Sequence, residues 1–266
     1  MLGANAHASH DWASKANSAG YTKTIFTFRS MLDTEVPLPE RYVGPRGRIH
    51  RYPFDNAVGA ALSTGMSVLD VGSGRAPIVP TGSRPAGVHY AGLDISSDEL
   101  SVAGTGAYDE ALVSDITRFE PEYADRFDLV ISLYMLEHVR PIDAALENMR
   151  RYLKPGGQMF AQFAGGQSLA ARLNRVVPDK FVRTVVSQVV PGRVPDNVFP
   201  AAYDRCTASA IQALMGDWSV ASVTPQHTGA INFAFSNVIL RAYLSAEDAL
   251  INRPDAASRY LITAIR

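Results

Sequence analysis

Three aspartates, Asp70, Asp94 and Asp115, stand at or near the ends of three successive apolar runs. Asp70 lies in Val68-Leu69-Asp70-Val71, directly before Gly72-Ser73-Gly74. A strand ending in Gly-x-Gly lets a ligand come close to the backbone, because glycine adopts φ angles that side chains forbid. Asp94, in Gly92-Leu93-Asp94-Ile95, follows Asp70 by 24 residues. A carboxylate there can accept hydrogen bonds from both hydroxyls of a ribose. Asp115, in Val113-Ser114-Asp115-Ile116, can accept the exocyclic amine of an adenine, with Ile95 and Ile116 sandwiching the ring. Any one of these aspartates is equally well explained as a turn former. All three at neighbouring strand ends point to a nucleoside site. A further pair, Glu137-His138, follows the next apolar run. The unperturbed pKa of histidine suits His138 to removing a proton from a nucleophile, and Glu137 can orient the imidazole or bind substrate. The alternative is that this segment only begins a helix, with His138 packing or capping it.

These residues need strands and helices to place them. The pattern predicts strands over Ser67–Val71, Val88–Leu93, Ala111–Val113, Phe127–Leu133 and Gln158–Phe163. Between them lie a short helix over Asp55–Leu62 with Asp55 as its N-cap and another capped by Ser96 or Ser97. A third starts with Pro141 at its first position and carries Ile142, Ala145, Leu146, Met149 and Leu153 on one face. Lys154-Pro155-Gly156-Gly157 is expected to end that helix. Beyond an interruption at 164–204, Thr207–Met215 reads as helix, Trp218–Thr224 as strand, Phe235–Ile251 as helix and Arg259–Ile265 as a last strand. Alternation with connections this short implies an α/β chain with a mainly parallel sheet and helices on both faces. The organisation that follows is an arm at 1–54, a core at 55–163, a lid-like insertion at 164–204 and a completion of the sheet at 205–266.

Composition narrows the function. The chain has 266 residues, 25 Lys or Arg against 26 Asp or Glu, 47% hydrophobic and 19% charged residues. That is ample material for a core and excludes wholesale disorder. A net charge of −1 offers no basic footprint for nucleic acid. The single cysteine, Cys206, excludes an internal disulfide and a multi-cysteine metal cluster, and it fits a reducing compartment. Met1–Trp12 lacks the basic and apolar regions of a secretory signal, the first arginine is Arg29, and no stretch is apolar enough to span a bilayer. A cytoplasmic location is expected.

With these residues in order, the chain resembles the class I S-adenosylmethionine-dependent methyltransferases. The resemblance rests on Val68-Leu69-Asp70-Val71-Gly72-Ser73-Gly74, Gly92-Leu93-Asp94-Ile95-Ser96 and Ser114-Asp115-Ile116. It continues through Phe127-Asp128-Leu129-Val130-Ile131-Ser132, Leu136-Glu137-His138-Val139 and Leu153-Lys154-Pro155-Gly156-Gly157. It implies a Rossmann-like seven-stranded sheet with the last strand antiparallel, and the cofactor at the carboxyl ends of the first four strands. Gly72 and Gly74 would line its methionine portion, Asp94 the ribose and Asp115 the adenine, with the Leu133 carbonyl receiving the amino group. The family often carries a third glycine where this chain has Ala76, and Pro77 and Pro80 shorten or distort the helix that normally follows. Pro77 also stands where a dinucleotide-binding pattern needs glycine, which counts against a nucleotide-dependent oxidoreductase. The amino-acid end of the cofactor is then expected to be held partly by the arm, with Arg48 as the candidate for its carboxylate. The alternative is that Arg48 is a solvated surface residue.

The Glu-His segment is also similar to that of ubiquinone-type O-methyltransferases, which use a further Glu three residues earlier with a divalent metal such as magnesium. Tyr134 stands there, a poorer ligand for a hard cation, so a metal is not favoured. His227, His50 and Glu40 are spare polar groups that could line an acceptor pocket; the alternative, which is favoured for each, is a structural or surface role. The insertion carries an apolar stripe, Val176, Val177, Phe181, Val182, Val185, Val186, Val189 and Val190, edged by Arg172, Arg175, Lys180, Arg183 and Arg193. It would serve a large or lipid-bearing acceptor, an anionic membrane surface, the core or a homodimer interface. Asn232–Asn237 loosely resembles methyltransferases of bacterial glycan and glycolipid pathways, which points to a sugar hydroxyl. O-methylation of such an acceptor is the first expectation. N- or C-methylation of a small metabolite, and a non-catalytic S-adenosylmethionine-binding protein, are the alternatives.

Overall fold

The computed structural model of the chain describes residues 52–176, 200–233 and 236–266. Its centre is a seven-stranded sheet of β1 (Ser67–Val71), β2 (His89–Asp94), β3 (Glu110–Val113), β4 (Phe127–Leu133), β5 (Leu153–Ala164), β6 (Val220–Gln226) and β7 (Arg259–Ile265). The strands lie in the order β3-β2-β1-β4-β5-β7-β6. The first five run parallel, and β7 pairs antiparallel with both β5 and β6. Chain order reverses between β1 and β4, which is the kind of switch point where open α/β sheets hold ligands.

Alternation along each strand sorts the core into two layers. Leu69, Val71, Leu93, Val130, Ala161 and Ile262 face one side. There they meet Ile142, Ala145, Leu146 and Met149 of the helix Ile142–Tyr152 and Ile211 of the helix Ala208–Leu214. Val68, Tyr90, Leu129, Ile131, Phe160 and Leu261 face the other side, under Phe54 and Val58 of the helix Tyr52–Ala61. The expected fold is present, helices on both faces included.

Several boundaries differ from expectation. The helix expected over Asp55–Leu62 runs Tyr52–Ala61, so Asp55 lies in its first turn and is buried rather than capping the end. Ser96 does cap the helix Ser97–Val102, accepting the Glu99 amide at 3.2 Å. Pro141 precedes the helix Ile142–Tyr152 instead of opening it, and Asp204 Oδ2 accepts the Ile142 amide at 3.1 Å from 62 residues away. Leu153 and the Lys154–Gly157 segment belong to β5, not to the end of that helix. Lys154 Nζ binds both oxygens of Asp128 at 2.9 Å, and the Gly156 amide and Gly157 carbonyl bond Arg266 at the end of the chain. These cross-sheet partners hold the Pro-Gly-Gly run extended. The strand expected at Trp218–Thr224 runs Val220–Gln226, because Trp218 turns inward with its amide on the Met215 carbonyl. The helix expected over Phe235–Ile251 covers Asn237–Asp248, and Phe235 lies outside the described residues. Arg48, His50, Glu40 and the 177–199 part of the insertion also lie outside them. Arg172, at the insertion's start, is exposed.

One strand glycine supports the site directly. A Cβ on Gly92 would stand 2.5 Å from two ring carbons of Tyr108 and 2.8 Å from Ser73 Oγ. The Tyr108 ring lies over that gap and donates its hydroxyl to the Gly74 carbonyl at 3.0 Å. Gly92→Ala is therefore expected to displace Tyr108 and destabilise the fold by about 1–3 kcal/mol. Gly82→Ala, which adds its methyl to open space, should stay within about 0.5 kcal/mol of wild type in the same urea titration.

Candidate active site

The carboxyl ends of β1, β2, β3 and β4 bring the predicted residues to one edge. Gly72 and Gly74 have φ of 73° and 51°, so the bend uses the left-handed region at both glycines. A Cβ on Gly72 would collide with Met135, 2.4 Å from Cγ, so Gly72 also makes room for the chain leaving β4. Asp94 locks the bend from the next strand. Its Oδ2 accepts the Gly74 amide at 3.0 Å and its Oδ1 accepts the Ser96 amide at 2.9 Å. Two backbone donors pre-orient this carboxylate without exhausting its lone pairs. Arg75 Nε adds a second tie, donating to Glu99 Oε2 at 2.6 Å.

The remaining cofactor-site residues divide. Ile95 is 64% exposed at this edge, an apolar surface that an aromatic ring would cover. Ile116 is buried in the core and its carbonyl accepts Asn148 Nδ2 at 2.7 Å, so the expected Ile95–Ile116 sandwich does not form. Asp115 is half-buried; its Oδ1 accepts both the amide and the hydroxyl of Thr117. Asp70 is fully buried, and its Oδ2 accepts the Ile78 amide at 2.8 Å and the Tyr90 hydroxyl at 2.7 Å. It anchors the segment after the bend, where Pro77 and Pro80 interrupt the usual helix, rather than facing a ligand. Ser73 is buried beside Tyr108. Leu133 is half-exposed at the end of β4, where it pairs with Gln162. A cleft of about 200 Å³ lined by Met66, Asp128, Lys154 and Gly156 opens at the opposite edge and contains none of these residues.

After β4 the backbone turns at Tyr134, whose φ is 55° and whose amide donates to the Gln162 carbonyl at 2.7 Å. The Leu136–His138 turn then points its two polar residues in opposite directions. His138 is exposed, and its Nδ1 lies 3.1 Å from the Pro200 carbonyl. A carbonyl only accepts, so Nδ1 carries the proton and the neutral ring keeps its lone pair on Nε2. Glu137 is 5% exposed, and its Oε2 has no hydrogen-bond partner. Burial raises its carboxyl above the ordinary range; backbone hydrogen bonding and the charges of His138 and Arg259 pull the other way and only partly offset it. Tyr134 Oη accepts Gln162 Nε2 at 3.1 Å, so this side chain is engaged in the sheet. Among the described residues no group of three or more His, Cys, Asp and Glu converges as a metal site would require.

Sequence reasoning missed Tyr108, Gln162, Thr228 and Arg259. Gln162 and Arg259 left a signal, as polar residues inside or heading apolar strands. Tyr108 left none, since only the tertiary fold carries its ring over Gly92. His227, a spare polar group that could line an acceptor pocket or serve a structural role, is buried next to Thr228 just after β6.

The mainly parallel sheet has its final strand reversed and carries a glycine bend and acidic strand ends at one edge. A family model described as "Methyltransferase domain" matches residues 46–193. The chain belongs to the class I S-adenosylmethionine-dependent methyltransferase family. It is 34% identical over 104 residues to a ubiquinone biosynthesis O-methyltransferase of Marinobacter nauticus, covering 36% of this chain and 43% of that protein. The homologous enzyme of Paraburkholderia xenovorans is 34% identical over 105 residues, covering 36% and 44%. The chain thus spans less than half the length of the curated relatives it matches. Among solved structures, a Haemonchus contortus phosphoethanolamine N-methyltransferase 2 bound to S-adenosyl-L-methionine aligns with 96% of this chain and 60% of its own, at 16% identity and a TM-score of 0.45. Relatives named for ubiquinone biosynthesis give no support to the sugar acceptor suggested by Asn232–Asn237. No described helix is long and apolar enough to cross a membrane.

Asp94→Ala frees the Gly74 amide and removes the carboxylate expected to accept the ribose hydroxyls. Calorimetric titration with S-adenosylhomocysteine should show affinity reduced by about 1.5–3 kcal/mol, roughly ten- to hundredfold. Glu137 has a folded-state pKa above its unfolded value of 4.5. The stability it contributes is fully present below the unfolded pKa and is lost as pH rises through the folded one. Glu137→Gln should therefore match wild type in Tm at the acid end and exceed it increasingly towards neutral pH.

Proposed function

We propose that this chain is an O-methyltransferase that transfers the methyl of S-adenosylmethionine to a hydroxyl on a small organic acceptor. The observation that carries the reading is the adjacency, on one sheet edge, of the Gly72–Gly74 bend tied to Asp94 and the Glu137–His138 turn. When bound, S-adenosylmethionine supplies an electrophilic methyl group on a sulfonium. Asp94 would accept the ribose hydroxyls, Asp115 the adenine amine through the oxygen that Thr117 does not use, and Ile95 would cover a ring face. Gly72 and Gly74 allow close backbone approach, the Leu133 carbonyl would take the amino group, and Arg48 is proposed for the carboxylate.

In-line displacement requires alignment of nucleophile, carbon and sulfur, and exclusion of water. A hydroxyl nucleophile also needs a proton acceptor. His138 fills that role through Nε2, since its bond to the Pro200 carbonyl leaves that nitrogen unprotonated in the neutral ring. Glu137, one residue away and buried, stabilises the imidazolium that forms. The names of the curated relatives support a hydroxyl acceptor. Names that cite ubiquinone biosynthesis favour a small-molecule hydroxyl over a glycan.

The test is a screen of catechols, phenolic acids, sugars and amines with labelled S-adenosylmethionine, with and without magnesium. Labelled product is expected from a phenolic hydroxyl. Methylation confined to amines or carbon centres would overturn the proposal. On the active acceptor, His138→Ala should lower kcat by ~10²–10⁴ and leave S-adenosylhomocysteine affinity unchanged. A loss below threefold would return His138 to a structural role.

A further inference from the structure

Arg259 opens β7 and is 9% exposed. Its Nη1 donates to the Thr228 carbonyl at 2.9 Å and to the Thr228 hydroxyl. The ion-paired arginines and lysine among the described residues, Arg75, Arg126, Arg150, Lys154, Arg205 and Arg266, all occupy more exposed positions. Half-buried Arg84 stacks 3.8 Å over the Tyr90 ring and bonds two carbonyls. Arg259 is the more deeply buried cation, and no described carboxylate comes within 4 Å of it. A guanidinium offers five donors, and burying its charge with one nitrogen engaged leaves a strong attraction for an anion.

Its position says which anion. Arg259 pairs with Ala164 at the carboxyl end of β5 and with Gln226 at the end of β6. Strand alternation puts it on the face shared by Leu261, Phe160 and Ile131, the face on which Leu133 packs. Two strand spacings, about 10 Å, separate it laterally from β4. Glu137, in the turn that follows β4, feels the Arg259 charge, and its Oε2 has no hydrogen-bond partner. A ring-sized acceptor with its hydroxyl at the Glu137–His138 turn would carry its far end to Arg259.

We infer that Arg259, braced by Thr228, recognises an anionic group, carboxylate or phosphate, on the methyl acceptor. This rests on the methyltransferase reading above. It makes the acceptor an anionic hydroxyl compound, with Arg259 setting specificity rather than rate.

The full chain, saturated with S-adenosylhomocysteine, is titrated with benzoate and separately with inorganic phosphate, at ionic strength held constant with sodium chloride, and Tm is recorded. One of the two is expected to raise Tm saturably, and which one does so identifies the group. The saturable part should vanish in Arg259→Gln and require at least tenfold more ligand in Arg259→Lys, which keeps the charge but not the planar fork. Non-specific stabilisation by phosphate would be linear and equal in all three proteins. No saturable shift in wild type, or an undiminished one in Arg259→Lys, overturns the inference even if Arg259→Gln fails to fold. Calorimetry separates this from the larger reading. Wild type that binds S-adenosylhomocysteine but neither anion loses only the Arg259 assignment, whereas wild type that does not bind S-adenosylhomocysteine loses the cofactor assignment itself.

Discussion

The Asp94 carboxylate accepting the Gly74 amide is the contact on which the cofactor edge depends. It joins the end of β2 to the bend that leaves β1, and so fixes the distance between the two strand ends proposed to share a nucleoside. The bond is possible only because Gly72 and Gly74 adopt positive φ, and because Gly72 leaves room for Met135. The same bend is braced from below by the Tyr108 hydroxyl on the Gly74 carbonyl and from beyond by Asp70 on the Ile78 amide. A carboxylate, a phenol and a second carboxylate replace the hydrogen bonds that the interrupted helix does not supply.

That replacement explains how the chain accommodates Ala76, Pro77 and Pro80 within this family. Pro77 and Pro80 lack N–H groups and cannot continue a helical ladder. The backbone between them is held by side chains instead: Ile78 by Asp70 and the Val79 amide by Tyr90 Oη, 3.1 Å away. Buried polar groups are costly unless satisfied, so the Asp70–Tyr90 pair is a structural network and its carboxylate is occupied inward. Of the three acidic strand ends, Asp94 and Asp115 are therefore the two proposed for a ligand.

The other half of the edge is organised by opposed orientations within one short turn. The Leu136–His138 turn buries Leu136 and Glu137 in succession and exposes His138. The chain returning at 200–206 fastens this turn, with the Tyr203 amide on the Glu137 carbonyl and Asp204 on the first amide of the following helix. Arg205 reinforces the junction by pairing with Asp143 at 2.7 Å. The proposed acceptor side is thus assembled from segments more than 60 residues apart.

The sequence by itself determined the sheet strands, the glycine bend, the Ser96 cap and the placing of Asp94 and Asp115, because each is encoded by residues within a few positions of one another. Hydrophobic alternation needs only a strand, and Gly-x-Gly needs only its own dihedral angles. Where Lys154–Gly157 joins a strand, where Ile116 leaves the ligand for the core and where Asp70 turns inward were decided by partners distant in the chain. Arg259 is the sharpest case. Its charge at the head of an apolar strand was legible, but its place at the carboxyl edge exists only because β7 runs back antiparallel beside β5.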